Sequence, residues 1–274
     1  MAMIATRKLL AWLMLLFAAW QTSAFAAFDH EHKAWSDLLK KHVVVQDAGK
    51  SSRVGYAGFA RDRQRLKGYL DALSTVSETD FKSWSKPQQL AFLLNAYNAF
   101  TIEKVLTRYP DLKSIRDFGR VFGNPWKDKF FTLLSRGMTL DGIEHDTIRA
   151  PGRYDDPRIH FAANCAAIGC PMLREEAYVG ARLDAQLDEQ ALRFMSDRSR
   201  NRYDAGTHGL ALSSIFDWYG KDFARGGKGY SSLGQWLARY ADQLADGVEE
   251  RAAIRGGSLP VAFLDYDWRL NDAK

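Results

Sequence analysis

Apolar residues recur at three-to-four spacing in several separate stretches of this chain, so helices are expected to dominate the fold. In residues 31–45, Trp35, Leu38, Leu39 and His42 share one face, and the β-branched Val43, Val44 and Val45 predict a short strand directly after the helix. From Tyr56 to Leu73, Phe59, Leu66, Tyr69, Leu70 and Leu73 repeat at helical spacing, with Asp80 or Ser83 expected to cap a turn beyond them. The longest helix is expected from Pro87 to Tyr109. Proline suits its first turn, and Leu90, Leu94, Tyr97, Thr101 and Val105 form a stripe that Phe92, Leu93 and Phe100 widen until most sides are apolar.

Past Pro110 the pattern lapses into a loop through Gly123, Asn124, Pro125 and Trp126. Two short runs, Lys129 to Leu134 and Met138 to Leu140, predict a hairpin. Asp141 and Glu144 resemble a capping box that would open a short helix, with Asp141, His145 and Arg149 on one side of it. Residues 158–163 read as a strand, Leu183 to Met195 as an amphipathic helix and Gly209 to Leu212 as a strand. Ser213 and Ser214 cap a helix to Phe223, a further helix covers Ser231 to Leu244, and Val261 to Asn271 reads as a terminal strand with a polar-aromatic end. The expected class is α+β: a helix-rich single domain over residues 27–274 with a small antiparallel sheet.

Composition adds a compartment. Arg7 and Lys8 precede the apolar run Leu9 to Trp20, and Ala24-Phe25-Ala26 offers a small-x-small cleavage site, so residues 1–26 read as a signal peptide. The run is shorter than the roughly 20 residues that span hydrocarbon. A periplasmic or secreted protein without a stable membrane anchor is expected. Without those residues the net charge falls from +5 to about +3, and Lys and Arg alternate with Asp and Glu, which argues against a nucleic-acid partner. A small-molecule or peptide substrate is expected instead.

Both cysteines lie in one stretch, Arg158 to Pro171, which also holds His160 and Asn164. As a strand, this stretch would separate His160 from Cys165 by roughly 16 Å. His145, arriving from another element, is therefore the expected base for a Cys165 nucleophile, with Glu144, Asn164 or Asn98 as orienter. In an exported chain the alternative is that the same cysteines form a disulfide, which the five-residue spacing permits only in a loop, since a regular helix would hold them too far apart. Asn95 and Asn98, three apart on an apolar helix, either hold substrate or tie down neighbouring backbone. Zinc on His145, His160 and Cys165 lacks a close-spaced ligand pair, and no nucleotide fingerprint is present, so no metal or cofactor is expected.

The series Asn95-Ala-Tyr-Asn-Ala, Ile143-Glu-His, His160-Phe with Asn164-Cys165, Cys170-Pro, Ser214-Ile-Phe-x-Trp-Tyr-x-x-Asp-Phe and Tyr266-Asp-Trp-x-Leu-Asn resembles the family called domain of unknown function 547. The resemblance runs from about Tyr56 to Asn271. It implies that Asn95, Asn98, Glu144, His145, Arg149, the segment from His160 to Cys165, and Asp222 belong to one constellation, and that Cys165 matters more than Cys170. Two functions remain open on the residues. One is a thiol hydrolase or acyltransferase acting on an amide or thioester, in an arrangement of the papain or transglutaminase kind. The other is a non-catalytic module with a Cys165–Cys170 disulfide, in which Asn95, Asn98, Arg149, His160 and Asp222 bind a ligand.

Overall fold

The computed structural model describes residues 27–119 and 124–274, so the signal-peptide reading of residues 1–26 lies outside the described residues. Helix α1 (Lys33–His42) buries Trp35, Leu38, Leu39 and His42, as its stripe predicts, and runs straight into β1 (Val43–Gln46). Strand β1 pairs antiparallel with β2 (Ser51–Val54). The next stripe forms two helices, α2 (Tyr56–Arg61) and α3 (Arg63–Thr75), rather than one. Their junction is Asp62, whose Oδ2 accepts from Lys41 Nζ and His42 Nε2, each at 2.7 Å.

Ser77 caps α4 (Glu78–Ser83), and Ser85 caps α5 (Lys86–Leu106) in a reciprocal box with Gln88, so neither Asp80 nor Ser83 is the cap that the pattern suggested. Helix α5 is buried almost all round and packs against α2 and α3. Beyond it, β3 (Phe131–Leu133) and β4 (Arg136–Met138) form the expected hairpin, turning on Leu134 and Ser135 at φ 53° and 62°. Helix α6 (Leu140–Ile143) is capped by Thr139, whose hydroxyl accepts from Gly142 N at 2.8 Å; Asp141 is not the cap. Residues 144–148 then widen into a π-helical turn, in which Arg149 N donates to Glu144 O at 2.9 Å.

The expected strand at 158–163 is absent. Asp156 Oδ1 accepts from Arg158 N at 3.0 Å, Pro157 occupies the first turn, and Pro157–Phe161 coils into a 3₁₀ turn instead. Helix α7 (Leu183–Met195) follows the predicted bounds. Strands β5 (Arg202–Asp204) and β6 (Gly209–Ser213) pair antiparallel, while β7 (Val261–Leu264) joins β6 in parallel. Among the described residues the strands thus form three small sheets, one of them mixed, rather than one antiparallel sheet. Helix α8 (Ile215–Tyr219) stops short of Phe223, and the Ser231–Leu244 stretch divides into α9 (Leu233–Ala238) and α10 (Ala241–Leu244), followed by α11 (Val248–Arg255).

Among the described residues two hydrophobic clusters result. The first gathers around α5, and the second is aromatic, with Phe161, Phe194, Phe216, Phe223 and Trp236 at its centre. The 3₁₀ turn sits on their seam, because Ile159 belongs to the first cluster and Phe161 to the second. The class is α+β and helix-rich. No helix among the described residues is long and apolar enough to cross a membrane.

Candidate functional site

On that seam lies a cleft of about 490 Å³, lined by Glu144, His145, His160, Cys165 and Cys170 and walled by Trp126, Trp218, Tyr219, Tyr266 and Trp268. The walls are mutually packed. The Trp218 and Tyr266 rings lie 4.8 Å apart, Tyr266 and Trp268 4.6 Å, and Trp126 and Trp268 6.0 Å.

The two cysteines are joined, with Cα atoms 6.2 Å apart, so the oxidised chain presents no thiol in the cleft. Their loop turns through Ala166, held at φ 65°, with Asn164 Oδ1 accepting from Ala166 N at 3.0 Å. Tyr266 OH lies 3.2 Å from each sulfur. A disulfide sulfur has no proton, so the phenol is the donor to both. Gly169 is required here, because a Cβ would stand 3.0 Å from Asp267 N and from the Tyr266 ring. Behind the loop, Arg200 Nη2 donates to Ile168 O at 2.8 Å and Nη1 donates to Cys170 O.

With residues 157–161 coiled rather than extended, His160 and Cys165 line one cleft, which corrects the inference from an extended strand that kept them apart. His160 stacks on Tyr219 at 4.0 Å, and its Nε2 donates to Asp222 Oδ2 at 2.8 Å. The same oxygen accepts from Arg149 Nε at 2.6 Å, while Arg225 stands 3.1 Å from Oδ1. Burial alone would push the Asp222 carboxyl up, but hydrogen bonds from His160 and Arg149 outweigh it and hold Asp222 far below the usual carboxylate range. Burial pushes the His160 imidazolium the other way, so the ring favours its neutral form although Asp222 and Glu144 oppose the shift. With Nε2 bonded to a carboxylate, Nδ1 carries the lone pair and has no partner among the described residues.

His145 is arranged differently. Its Nδ1 lies 2.7 Å from Arg149 Nη1, and a guanidinium only donates, so that lone pair is occupied. The hydrogen then sits on Nε2, 3.7 Å from Asp141 Oδ1, beyond hydrogen-bond reach. Burial and the nearby Glu144 raise the Asp141 carboxyl, although His145 opposes them. Glu144 is buried, and burial together with its charge raises the Tyr97 and Tyr219 phenols.

Three residues expected in the site stand behind it. Asn95 exchanges both amide groups with Tyr178, Nδ2 to O at 2.7 Å and N to Oδ1 at 3.0 Å. Asn98 donates to Ala162 O at 3.0 Å and accepts from Asn164 N at 2.8 Å. Asn164 Nδ2 donates to Pro171 O at 2.8 Å. These amides are consumed by backbone, so Asn95 and Asn98 hold the frame rather than a substrate, and Asn164 shapes the cysteine loop. Arg149 is likewise committed, to Asp222 and His145. Tyr219, Tyr266 and Trp268 stand in the motifs that carry the family resemblance but were given no role in the site, and Arg200 gave no signal at all. Among the described residues, no group of three or more His, Cys, Asp or Glu side chains is placed to hold a metal ion.

Residues 81–195 match the model of a family described as "Protein of unknown function, DUF547". The matched stretch contains both cysteines, both histidines of the cleft and Arg149, whereas Asp222, Trp218, Tyr219, Tyr266 and Trp268 lie beyond it. No curated protein matches the chain, and no solved structure does.

Proposed function

We propose that the chain, once its disulfide is opened, is a thiol-dependent hydrolase or acyltransferase acting on an amide or thioester of a small molecule or peptide. Cys165 is the nucleophile, and His160 rather than His145 is its base. The observation that carries this reading is the His160–Asp222 pair, which leaves Nδ1 unengaged on the cleft that Cys165 lines. In the reaction, Nδ1 takes the Cys165 proton, the sulfur attacks the carbonyl, and the leaving amine or thiol recovers the proton as the acyl-thiol forms. Water or an acceptor amine then releases the acyl group. Asp222 keeps the ring in the required tautomer and stabilises the imidazolium, so it acts by positioning. The aromatic walls shield the reaction from water and suit an apolar acyl or peptide side chain. The apolar N-terminal stretch and the oxidised cysteines favour the periplasm as the site of action.

A second reading rests on the disulfide itself: a non-catalytic module binding a ligand or peptide in the aromatic cleft with the bond intact. Alkylation of the reduced protein between about pH 5 and 9 separates the two. The wild type is expected to lose its Cys165 thiol well below the ordinary value of about 8.5. His160→Gln should slow the reaction at neutral pH by about 10²-fold, at the low end for a lost general base, and His145→Gln by less than about threefold. A Cys165 that titrates as an ordinary thiol in all three proteins would remove the enzyme reading and leave the module.

A further inference from the structure

The two sulfurs of the 165–170 bond are not equivalent. Cys165 is half-buried and faces the cleft, whereas Cys170 is only 4% exposed. Cys170 Sγ accepts from Cys165 N at 2.9 Å and from Tyr266 OH at 3.2 Å, while Cys165 Sγ has the Tyr266 hydroxyl alone. The Arg200 guanidinium is fixed on the carbonyls of Cys170 and Ile168. An electron pair arriving on Cys170 thus meets two donors and a nearby cation. One arriving on Cys165 meets a single shared donor.

We infer that this disulfide is an exchange-competent couple with a fixed direction: a thiolate of a small or peptidic dithiol attacks Cys165 Sγ from the cleft, and Cys170 departs. The attacking pair forms a sulfur–sulfur bond to Cys165 as the Cys165–Cys170 bond breaks, and its electrons leave on Cys170 as thiolate. The donor's second thiol, deprotonated to solvent, attacks the donor sulfur of the mixed disulfide and frees Cys165. The donor is oxidised by two electrons to its disulfide, and the protein is reduced by two. Leaving-group acidity and access set the direction of such exchanges, and both point the same way here. Burial raises the Tyr266 phenol, so it stays protonated and remains a donor while this happens. The activity does not depend on acyl chemistry, although it produces the open form that the proposed hydrolase requires.

The test uses the oxidised wild-type chain, a monothiol probe (mercaptoethanol), an acid quench and maleimide labelling, with the two positions read by peptide fragmentation. The expected product carries mercaptoethanol on Cys165 and maleimide on Cys170, exceeding the reverse isomer by about tenfold or more. A majority of the reverse isomer, equal amounts of both, or a native bond that reacts only after unfolding in urea would each overturn the inference. Tyr266→Phe should slow adduct formation by roughly three- to tenfold, as one hydrogen bond to the departing thiolate is lost. An unchanged rate in that variant overturns the part assigned to Tyr266. Because no acyl substrate is present, an unreactive disulfide and an inactive hydrolase are separate results.

Discussion

His32 shows how one buried ring sets an acid limit on stability. Its Nδ1 lies 2.7 Å from the Tyr69 hydroxyl, which burial keeps protonated, so His32 accepts and the ring is neutral. Burial pushes its pKa down to about 4. The unfolded ring protonates near 6.5, so between these values the unfolded chain binds the extra proton and stability falls as pH drops. Urea unfolding should show the wild type losing about 2–3 kcal/mol more than His32→Gln between neutral pH and about pH 4.5. Equal losses in the two proteins would refute this. Asn98 illustrates the opposite case, a polar side chain whose value lies in being fully paired. Asn98→Ala strands Asn164 N and Ala162 O and should cost about 2–4 kcal/mol by thermal or urea denaturation. A variant of full stability with a weakened ligand affinity would return Asn98 to substrate binding.

Among the elements, those with a long apolar stripe were legible, as α1, α5 and α7 show, although only α5 of these three carries a side-chain cap. Short apolar runs were not. Residues 158–163 alternate well enough for a strand, yet the preceding Asp156-Pro157 supplies a cap and a fixed φ, and these local bonds decide the conformation. That single difference changes the histidine assigned to Cys165. The π-helical turn at 144–148 was equally hidden, since nothing in its residue types distinguishes it from an α-helix; it sets His145 and Arg149 within 2.7 Å of each other. The parallel pairing of β7 was hidden because both partners are short and separated by four helices and several turns. In the cysteine loop, Gly169→Ala forces a methyl against Tyr266 and should cost about 1–3 kcal/mol. Near-ultraviolet circular dichroism of the cleft aromatics should change with it, and an unaltered spectrum with an unaltered melt would contradict the close packing.

At the scale of the molecule, residues 266–273 tie distant parts together. Ile168 N and Gly169 N donate to Arg269 O and Asp267 O, each at 2.8 Å, and Asn271 N donates to Ala166 O at 3.1 Å. Val54 N donates to Asn271 O at 2.9 Å, Ala273 N returns the bond to Val54 O at 2.9 Å, and Tyr56 OH reaches Asn271 Oδ1 at 2.8 Å. Deleting residues 266–274 removes these bonds, and at about 1 kcal/mol each the loss rivals the 5–15 kcal/mol of a typical domain. The truncated chain should therefore lose its cooperative melt and become protease-sensitive; a melt at the wild-type temperature would show the strap to be dispensable. A chain synthesised or exported from its N-terminus exposes His160 and Cys165 about a hundred residues before this strap follows. Until the strap docks, the cleft wall lacks Tyr266 and Trp268 and no phenol stands beside the sulfurs, so a nascent chain carries the polar side chains of the cleft without its complete wall. The chemistry proposed for the cleft would thereby be tied to completion of the fold by topology alone.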